Sequence, residues 1–338
     1  MIFVTVQDEK QYKGVMTRVG ASLLVFLGLI SASQTLYGWL KAPFISAWGE
    51  EAGYVINELL YGVMYFLCFI IPIFFFLFIS KGKEPKSMRL KPRLTLDTPF
   101  ILVASIGVIY LCAVVNNLII QPLISPSFDY DSMFVTYDYS EPYKVVLSLI
   151  VMAVVPGICE ELLFRGMILE NLAPYGKTGA VIGSAFLFGL MHQNPLQMFY
   201  TTMAGIVLGV IYIYTESIFC SMLVHILNNA YSIFLEALSQ NLGELGESVL
   251  YLIQGELLLL TAGAIVFLLV FWKKLHREME SKDNVFERIL PEGEGYEQIS
   301  IDPVRKIRLF FAPTVIVFIV LTVLQMGLLM LVMMGGLT

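Results

Sequence analysis

Nine stretches of this chain are apolar for long enough to be read as membrane-crossing helices: 19–40, 53–80, 98–120, 144–171, 177–193, 196–214, 217–238, 249–272 and 309–335. About 20 such residues carry a helix across a hydrocarbon core roughly 30 Å thick. That patterning confines the chain to an all-α, polytopic membrane helix bundle of about nine transmembrane helices. Composition agrees, since only 14% of the residues are charged, where a soluble domain carries about 25%. The net charge of −6 and the lack of a Lys/Arg stripe with interleaved aromatics argue against a nucleic-acid partner. Cys68, Cys112, Cys159 and Cys220 are far apart in apolar runs. They form no C-x-x-C pair and read as small apolar residues.

The first run resembles a signal peptide, with Lys10, Lys13 and Arg18 ahead of Ala21–Ile30 and "SAS" at 31–33. Apolar character resumes from Leu36 to Leu40, however, so an uncleaved first transmembrane helix is expected. Orientation follows from basic residues in short connections. The 81–93 segment "KGKEPKSMRLKPR" holds six basic residues and one acid, and Lys273, Lys274, Arg277, Arg305, Lys306 and Arg308 flank the last two spans. The 122–142 connection has Asp129, Asp131, Asp138 and Glu141 without Lys or Arg. The expectation is a multi-pass protein of the plasma membrane with its N-terminus in the cytoplasm. Phe128, Tyr130, Phe134, Tyr137 and Tyr139 make 122–142 either an interfacial aromatic belt or a lid near a site. The 275–304 segment, with "PEGEGYE", reads as a solvated cytoplasmic loop.

One span breaks the apolar rule. "VVPGICEELLFRGMIL", residues 154–169, carries Glu160, Glu161 and Arg165. An ionisable group at the centre of a lipid-facing helix costs roughly 2.5–3.5 kcal/mol, so these three must be hidden from lipid or have a function. Residues four apart share a helix face, which pairs Glu161 with Arg165 and leaves Glu160 pointing elsewhere. Two of the three histidines also lie inside spans: His192 in "FLFGLMHQNPLQ" and His225 in "SMLVHILNNAYS". The third, His276, sits in the basic flank "KKLHRE" and reads as interfacial. At 1.5 Å per residue, Glu160, His192 and His225 lie about 17, 22 and 12 Å from the inner ends of their spans. They can therefore meet in one internal cavity. A partly desolvated carboxylate and imidazole can take a proton from a water attacking a carbonyl. A second imidazole with an amide four residues on, His225 with Asn229, can hold the developing oxyanion.

The motifs "EELLFR" (Glu160, Glu161, Arg165), "FGLMH" (Phe188, His192) and "HILNN" (His225, Asn229) resemble those of the CPBP family of intramembrane proteases. That group comprises type II CAAX prenyl endopeptidases and bacteriocin-processing proteins. The resemblance covers roughly 145–235 and implies a helical bundle around a polar catalytic cavity. It implies that Glu160 and His192 activate water, that His225 and Asn229 stabilise the oxyanion, and that Glu161 and Arg165 support them. The chain divides accordingly into N-terminal helices (1–143), a catalytic core (144–238) and C-terminal helices with a charged loop (239–338). The expected activity is a glutamate-type, membrane-embedded endopeptidase without a cofactor. Its substrate would be a membrane-associated peptide or protein, prenylated or leader-bearing. Two other readings stand beside it. A zinc protease would use Glu160, His192 and His225 as ligands, although H-E-x-x-H is absent. A transporter or immunity-type protein would use the polar groups without catalysis.

The orientation is testable with an impermeant thiol reagent on intact cells. The Ser132→Cys variant is expected to react from outside and the Pro85→Cys variant is not; the reverse result inverts the topology.

Overall fold

Apolar runs become helices here because a bilayer interior leaves backbone N–H and C=O groups no partner but one another. The computed structural model describes residues 6–81, 98–124, 137–275 and 301–333. Among these it has eight helices long and apolar enough to span, one shorter apolar helix, and no strand. The protein is an all-α polytopic bundle.

In chain order the helices are α1 (Val6–Trp48), α2 (Glu50–Ser80), α3 (Thr98–Ile124), α4 (Pro142–Tyr175) and α5 (Lys177–Met191). They continue as α6 (Pro195–Thr215), α7 (Ile218–Gly243), α8 (Ser248–Val270), a short α9 (Pro303–Phe310) and α10 (Pro313–Met333). Between α7 and α8 the chain stays helical except at Gly243, where φ 55° and ψ −136° break the run. The expected 275–304 loop lies outside the described residues apart from its ends, and so do His276 and the stretch 82–97.

Two boundaries differ from the sequence expectation. The first helix begins at Val6, so its charged first turns are helical too, and Glu9 meets Arg305 on α9 at 2.9 Å. The stretch read as a fifth span is only 15 residues long, about 22 Å at 1.5 Å per residue. Gly176 (φ 126°) starts it and the turn at Gln193 (φ 54°), followed by Pro195, ends it. α5 by itself therefore falls short of a 30 Å core.

The main apolar core surrounds the second half of α4. Leu163, Phe164 and Ile168 pack there with Leu23 and Phe26 of α1, Phe69 of α2, Leu187 of α5 and Phe318 of α10. A smaller cluster joins α3, α6 and α7 through Ile109, Leu208 and Val224. Of the 122–142 connection, 125–136 lies outside the described residues. Its last part is a strap laid on the end of α7. The Gln240 amide donates to the Tyr137 carbonyl at 2.8 Å and accepts from the Tyr139 N–H at 3.0 Å, while Asn241 donates to the Tyr139 carbonyl at 3.0 Å. Tyr139 is buried, so it belongs to no interfacial belt. Beside it Asp138 hydrogen-bonds Lys144, whose ammonium holds that carboxyl below its usual range.

Small residues let membrane helices approach closely, and one such approach positions the polar centre. At Gly157 of α4 an added Cβ would lie 2.5 Å from Cγ1 of Ile226 and 3.1 Å from its backbone nitrogen on α7. Three and four residues on are Glu160 and Glu161, and next to Ile226 is His225. Gly157→Val is expected to lower thermal stability in detergent, by about 1–3 kcal/mol for overpacking. Gly255→Ala, which meets nothing within 4 Å, is the matched control and is expected to leave the melting temperature unchanged.

Candidate active site

The site is built on a helix whose regular hydrogen bonding is interrupted twice. In α4 the segments Leu149–Val154 and Leu162–Leu169 are π-helical, flanking Val155–Glu161. Their i→i−5 bonds are seen where the Val155 N–H reaches Ile150 O and the Glu170 N–H reaches Arg165 O. The first interruption follows from Pro156. Proline has no N–H and its ring crowds the carbonyl four residues back, here that of Met152. Asn229 of α7 takes up that carbonyl through Nδ2 at 3.3 Å. In the second segment the Phe164 carbonyl accepts from the Ser184 hydroxyl of α5 at 2.9 Å. Widened turns of this kind are frequent at functional sites, and these two fix the neighbouring helices to α4.

Between them the two adjacent glutamates take different roles. Glu161 is fully buried, and one of its oxygens, Oε1, receives both Arg165 Nη1 at 2.6 Å and His225 Nδ1 at 2.9 Å. The i, i+4 pairing read from the sequence is thus present, with the histidine added to it. Arg165 also donates through Nη2 to the Gly205 carbonyl at 3.0 Å, and its guanidinium lies 4.7 Å from the Phe188 ring centroid. One buried cation so ties α4 to α5, α6 and, through Glu161, α7.

Glu160 is not left free. Its Oε1 accepts from the Tyr65 hydroxyl of α2 at 2.5 Å. Its Oε2 is buried without a hydrogen-bond partner among the described residues and lies 3.9 Å from His225 Nε2. Because Nδ1 of His225 is held by Glu161, Nε2 is the nitrogen that faces Glu160. His192 follows the last residue of α5. Its Nδ1 donates back to the Phe188 carbonyl at 2.9 Å, which leaves Nε2 with its lone pair outward. The Phe188 ring is the spacer between the histidines, 4.9 Å from His192 and 5.9 Å from His225 between centroids.

His192, His225, Asn228, Asn229 and Tyr200 line one cavity of about 50 Å³. That holds a few waters and is too small for a peptide. Glu160 does not line it; it stands beside it, against His225. Three groups here were not singled out from the sequence. Tyr65 lies on a helix with no motif. Asn228 is indistinguishable from Asn229 in "NN", yet it is the one that donates to the Tyr200 hydroxyl, at 2.9 Å. Tyr200 itself is one of several tyrosines in apolar runs. Cys159 is buried and turned to the Pro156 carbonyl, away from the cavity.

No group of three His, Cys, Asp or Glu side chains among the described residues is placed to hold a metal ion. Glu160 and His225 offer two donors, and one glutamate oxygen is already committed to Tyr65.

Residues 142–231 match the family described as Type II CAAX prenyl endopeptidase Rce1-like. This is the family that the three motifs resemble, and it is one of membrane proteases. The match starts with α4 and ends just past Asn229, so it contains every site residue named above except Tyr65. No curated protein and no solved structure matches.

Removing the cation from this centre leaves Glu161 buried with an uncompensated charge, a loss of roughly 3–5 kcal/mol. Arg165→Leu is expected to lower folded yield and melting temperature sharply. Values equal to wild type would show that the pair contributes nothing to the fold.

Proposed function

We propose that this protein is a glutamate-type intramembrane endopeptidase, hydrolysing a peptide bond of a membrane-associated protein or peptide. The observation that carries the reading is the state of Glu160. One carboxylate oxygen is anchored by Tyr65 and the other is buried, without a hydrogen-bond partner among the described residues, and 3.9 Å from His225 Nε2. A carboxylate held in that way is a general base awaiting a proton donor.

In the proposed reaction a water between Glu160 and His192 attacks the carbonyl carbon of the scissile bond, and its proton passes to Glu160. The carbonyl oxygen becomes an oxyanion beside the second N–H of Asn229 Nδ2, the first being used on Met152, and beside His225, whose Nε2 donates there only when both ring nitrogens carry a proton, Nδ1–H being used on Glu161. Donors fixed in advance stabilise such a charge without reorganising. Collapse of the intermediate breaks the C–N bond, and Glu160 returns the proton to the leaving amine. The products are a carboxylate and an amine. Glu161 and Arg165 take no part in bond making; they hold His225 in its orientation. No cofactor has a step in this scheme. The family description directs attention to a prenylated C-terminal segment as substrate; a leader-bearing peptide satisfies the same chemistry. We take the basic segments as cytoplasmic, which puts the N-terminus inside, and propose the plasma membrane as the location.

The test is turnover by purified protein in the presence of a chelator, on a substrate found by comparing peptides from membranes with and without the Glu160→Ala variant. Glu160→Gln keeps size and hydrogen bonding but loses the base, so its rate is expected to fall by on the order of 10²-fold or more. Asn229→Ala should lose roughly 10²–10³-fold in kcat, with no recovery on adding zinc. Unchanged cleavage by Glu160→Gln rejects the mechanism, and zinc-restored activity in His192 or His225 variants replaces it with the metal reading.

A further inference from the structure

A second concentration of charged groups lies away from the histidines, where the first and last helices meet. Gly20 of α1 packs directly on α10. An added Cβ there would lie 2.5 Å from both the Thr314 hydroxyl and the Val315 nitrogen, and that hydroxyl donates to the Thr17 carbonyl at 2.9 Å. Lys13 is two turns from Gly20 toward the start of α1, about 10 Å along the axis. Between these turns of α1, α9 and the start of α10 is a cavity of about 310 Å³. It is lined by Lys13, Arg305 and Arg308, by Glu9, and by apolar surface that includes Phe311 and Pro313. Cavities that hold a small ligand begin at roughly 300 Å³. Glu9 holds Arg305 at 2.9 Å, whereas neither Lys13 nor Arg308 has a carboxylate partner among the described residues.

The short α9 sets the level of this cavity in the membrane, because its residues present three edges. Lys306 and Phe310, four apart, turn inward. The Lys306 ammonium donates to the Tyr175 carbonyl, and the Phe310 ring covers Gly183 of α5, where an added Cβ would lie 2.7 Å away. Val304, Ile307 and, just past the helix, Phe311 are exposed on a second edge. Arg305 and Arg308, three apart, share the third and line the cavity. A helix with an exposed apolar edge beside a basic one lies in the plane of the headgroups, its apolar side in the acyl boundary. The cavity therefore opens among lipid phosphates. Basic residues near span ends are common, and they set orientation without forming a site. Here cations from opposite ends of the chain converge on one concavity with an apolar wall, which orientation does not require.

We propose that this cavity binds an anionic phospholipid. Its phosphate sits between Lys13, Arg305 and Arg308, and its glycerol and first acyl carbons lie on Phe311 and Pro313. The planar arginine fork matches phosphate oxygens in pairs, and lysine adds a compact third charge. A zwitterionic lipid brings its own cation to the same place and is held less well. A bare phosphate ion leaves the apolar wall unfilled. The bound lipid joins α1 to α9 and α10, and α1 and α10 supply Leu23, Phe26 and Phe318 to the core around α4. The site is separate from the histidine cavity and does not rest on the endopeptidase reading.

The experiment is native mass spectrometry of the detergent-solubilised protein titrated with phosphatidylglycerol or phosphatidylcholine. Wild type is expected to take up one phosphatidylglycerol in preference to phosphatidylcholine. The Lys13→Gln/Arg308→Gln double variant is expected to bind phosphatidylglycerol about 25-fold more weakly, roughly fivefold for each cation removed, with phosphatidylcholine binding unchanged. Lys10→Gln removes a charge from the same helix that does not line the cavity, and is expected to bind as wild type does. All three replaced side chains are exposed, so melting temperatures without lipid should match wild type. An unchanged affinity in the double variant overturns the proposal. So does an equal loss in Lys10→Gln, which would mean diffuse surface attraction. Equal binding of the two lipids by wild type overturns it too, and is the result expected if the chain's own acidic stretch "PEGEGYE" fills the cavity. Inorganic phosphate at the lipid's concentration is the last arm. Displacement of the bound lipid by it would assign the cations to free phosphate and exclude the lipid as occupant.

Discussion

A single carboxylate oxygen, Oε1 of Glu161, organises the centre of this protein. It receives a guanidinium from its own helix and an imidazole from α7, at a place with no measurable exposure. Neither partner is dispensable to the arrangement. Without Arg165 the carboxylate is an uncompensated charge in the low-dielectric interior, where burial is strongly unfavourable. Without Glu161 the His225 ring has no partner on Nδ1, and nothing else fixes which nitrogen faces Glu160. Arg165 extends the order outward through the Gly205 carbonyl and the Phe188 face, and Phe188 in turn supplies the carbonyl that orients His192. The two histidines are thus set by one connected group of interactions that begins at Glu161.

The same helix supplies the geometry through what it lacks. Pro156 removes one N–H, and Gly157 removes one side chain. The first leaves the Met152 carbonyl to Asn229; the second lets α7 come close enough for Asn229 and His225 to reach α4 at all. In a bilayer an unmet carbonyl costs several kcal/mol, so the asparagine bond is a structural requirement as well as a possible catalytic asset. Its two N–H groups allow both at once. Neighbouring residues of one "PG" pair therefore set the chemical and the steric terms of the α4–α7 contact.

The sequence carried some of this and not the rest, for identifiable reasons. The Glu161–Arg165 pair was legible because helix periodicity alone brings i and i+4 together. Depth, with a fixed rise per residue, brought Glu160, His192 and His225 to a similar level; His192 and His225 line one cavity, and Glu160 stands beside it against His225. Tyr65 was not legible, because contact between α2 and α4 depends on tertiary packing, which no spacing encodes. α5 ends at Met191, two residues before the end of the span read from the sequence, because the chain turns through Gln193 in the left-handed region ahead of Pro195. The role of Asn229 was read as catalytic alone, although Pro156 four residues after Met152 already implied a carbonyl in need of a donor. The aromatic residues Phe128, Tyr130 and Phe134 lie outside the described residues.

The physical demands on such a site also explain its lopsidedness. A hydrolytic centre must admit water, and a membrane bundle must exclude water from its apolar core or lose the contacts that hold it together. The two can coexist only if the site lies on the boundary between them. Here the boundary passes through the plane of Phe188. On one side are Phe164 and Leu187, packed dry; on the other are Asn228, Asn229 and Tyr200 around a cavity sized for a few waters. Glu161 and Arg165, which need exclusion to stay paired, are on the dry side of the histidines. Of the seven motif side chains only His192 and Asn229 are partly exposed, and of these His192 stands at the end of a helix. A helix that stopped short was the means of putting it there: two full-length spans would have carried the turn, and its histidine, out to the surface and away from Glu160.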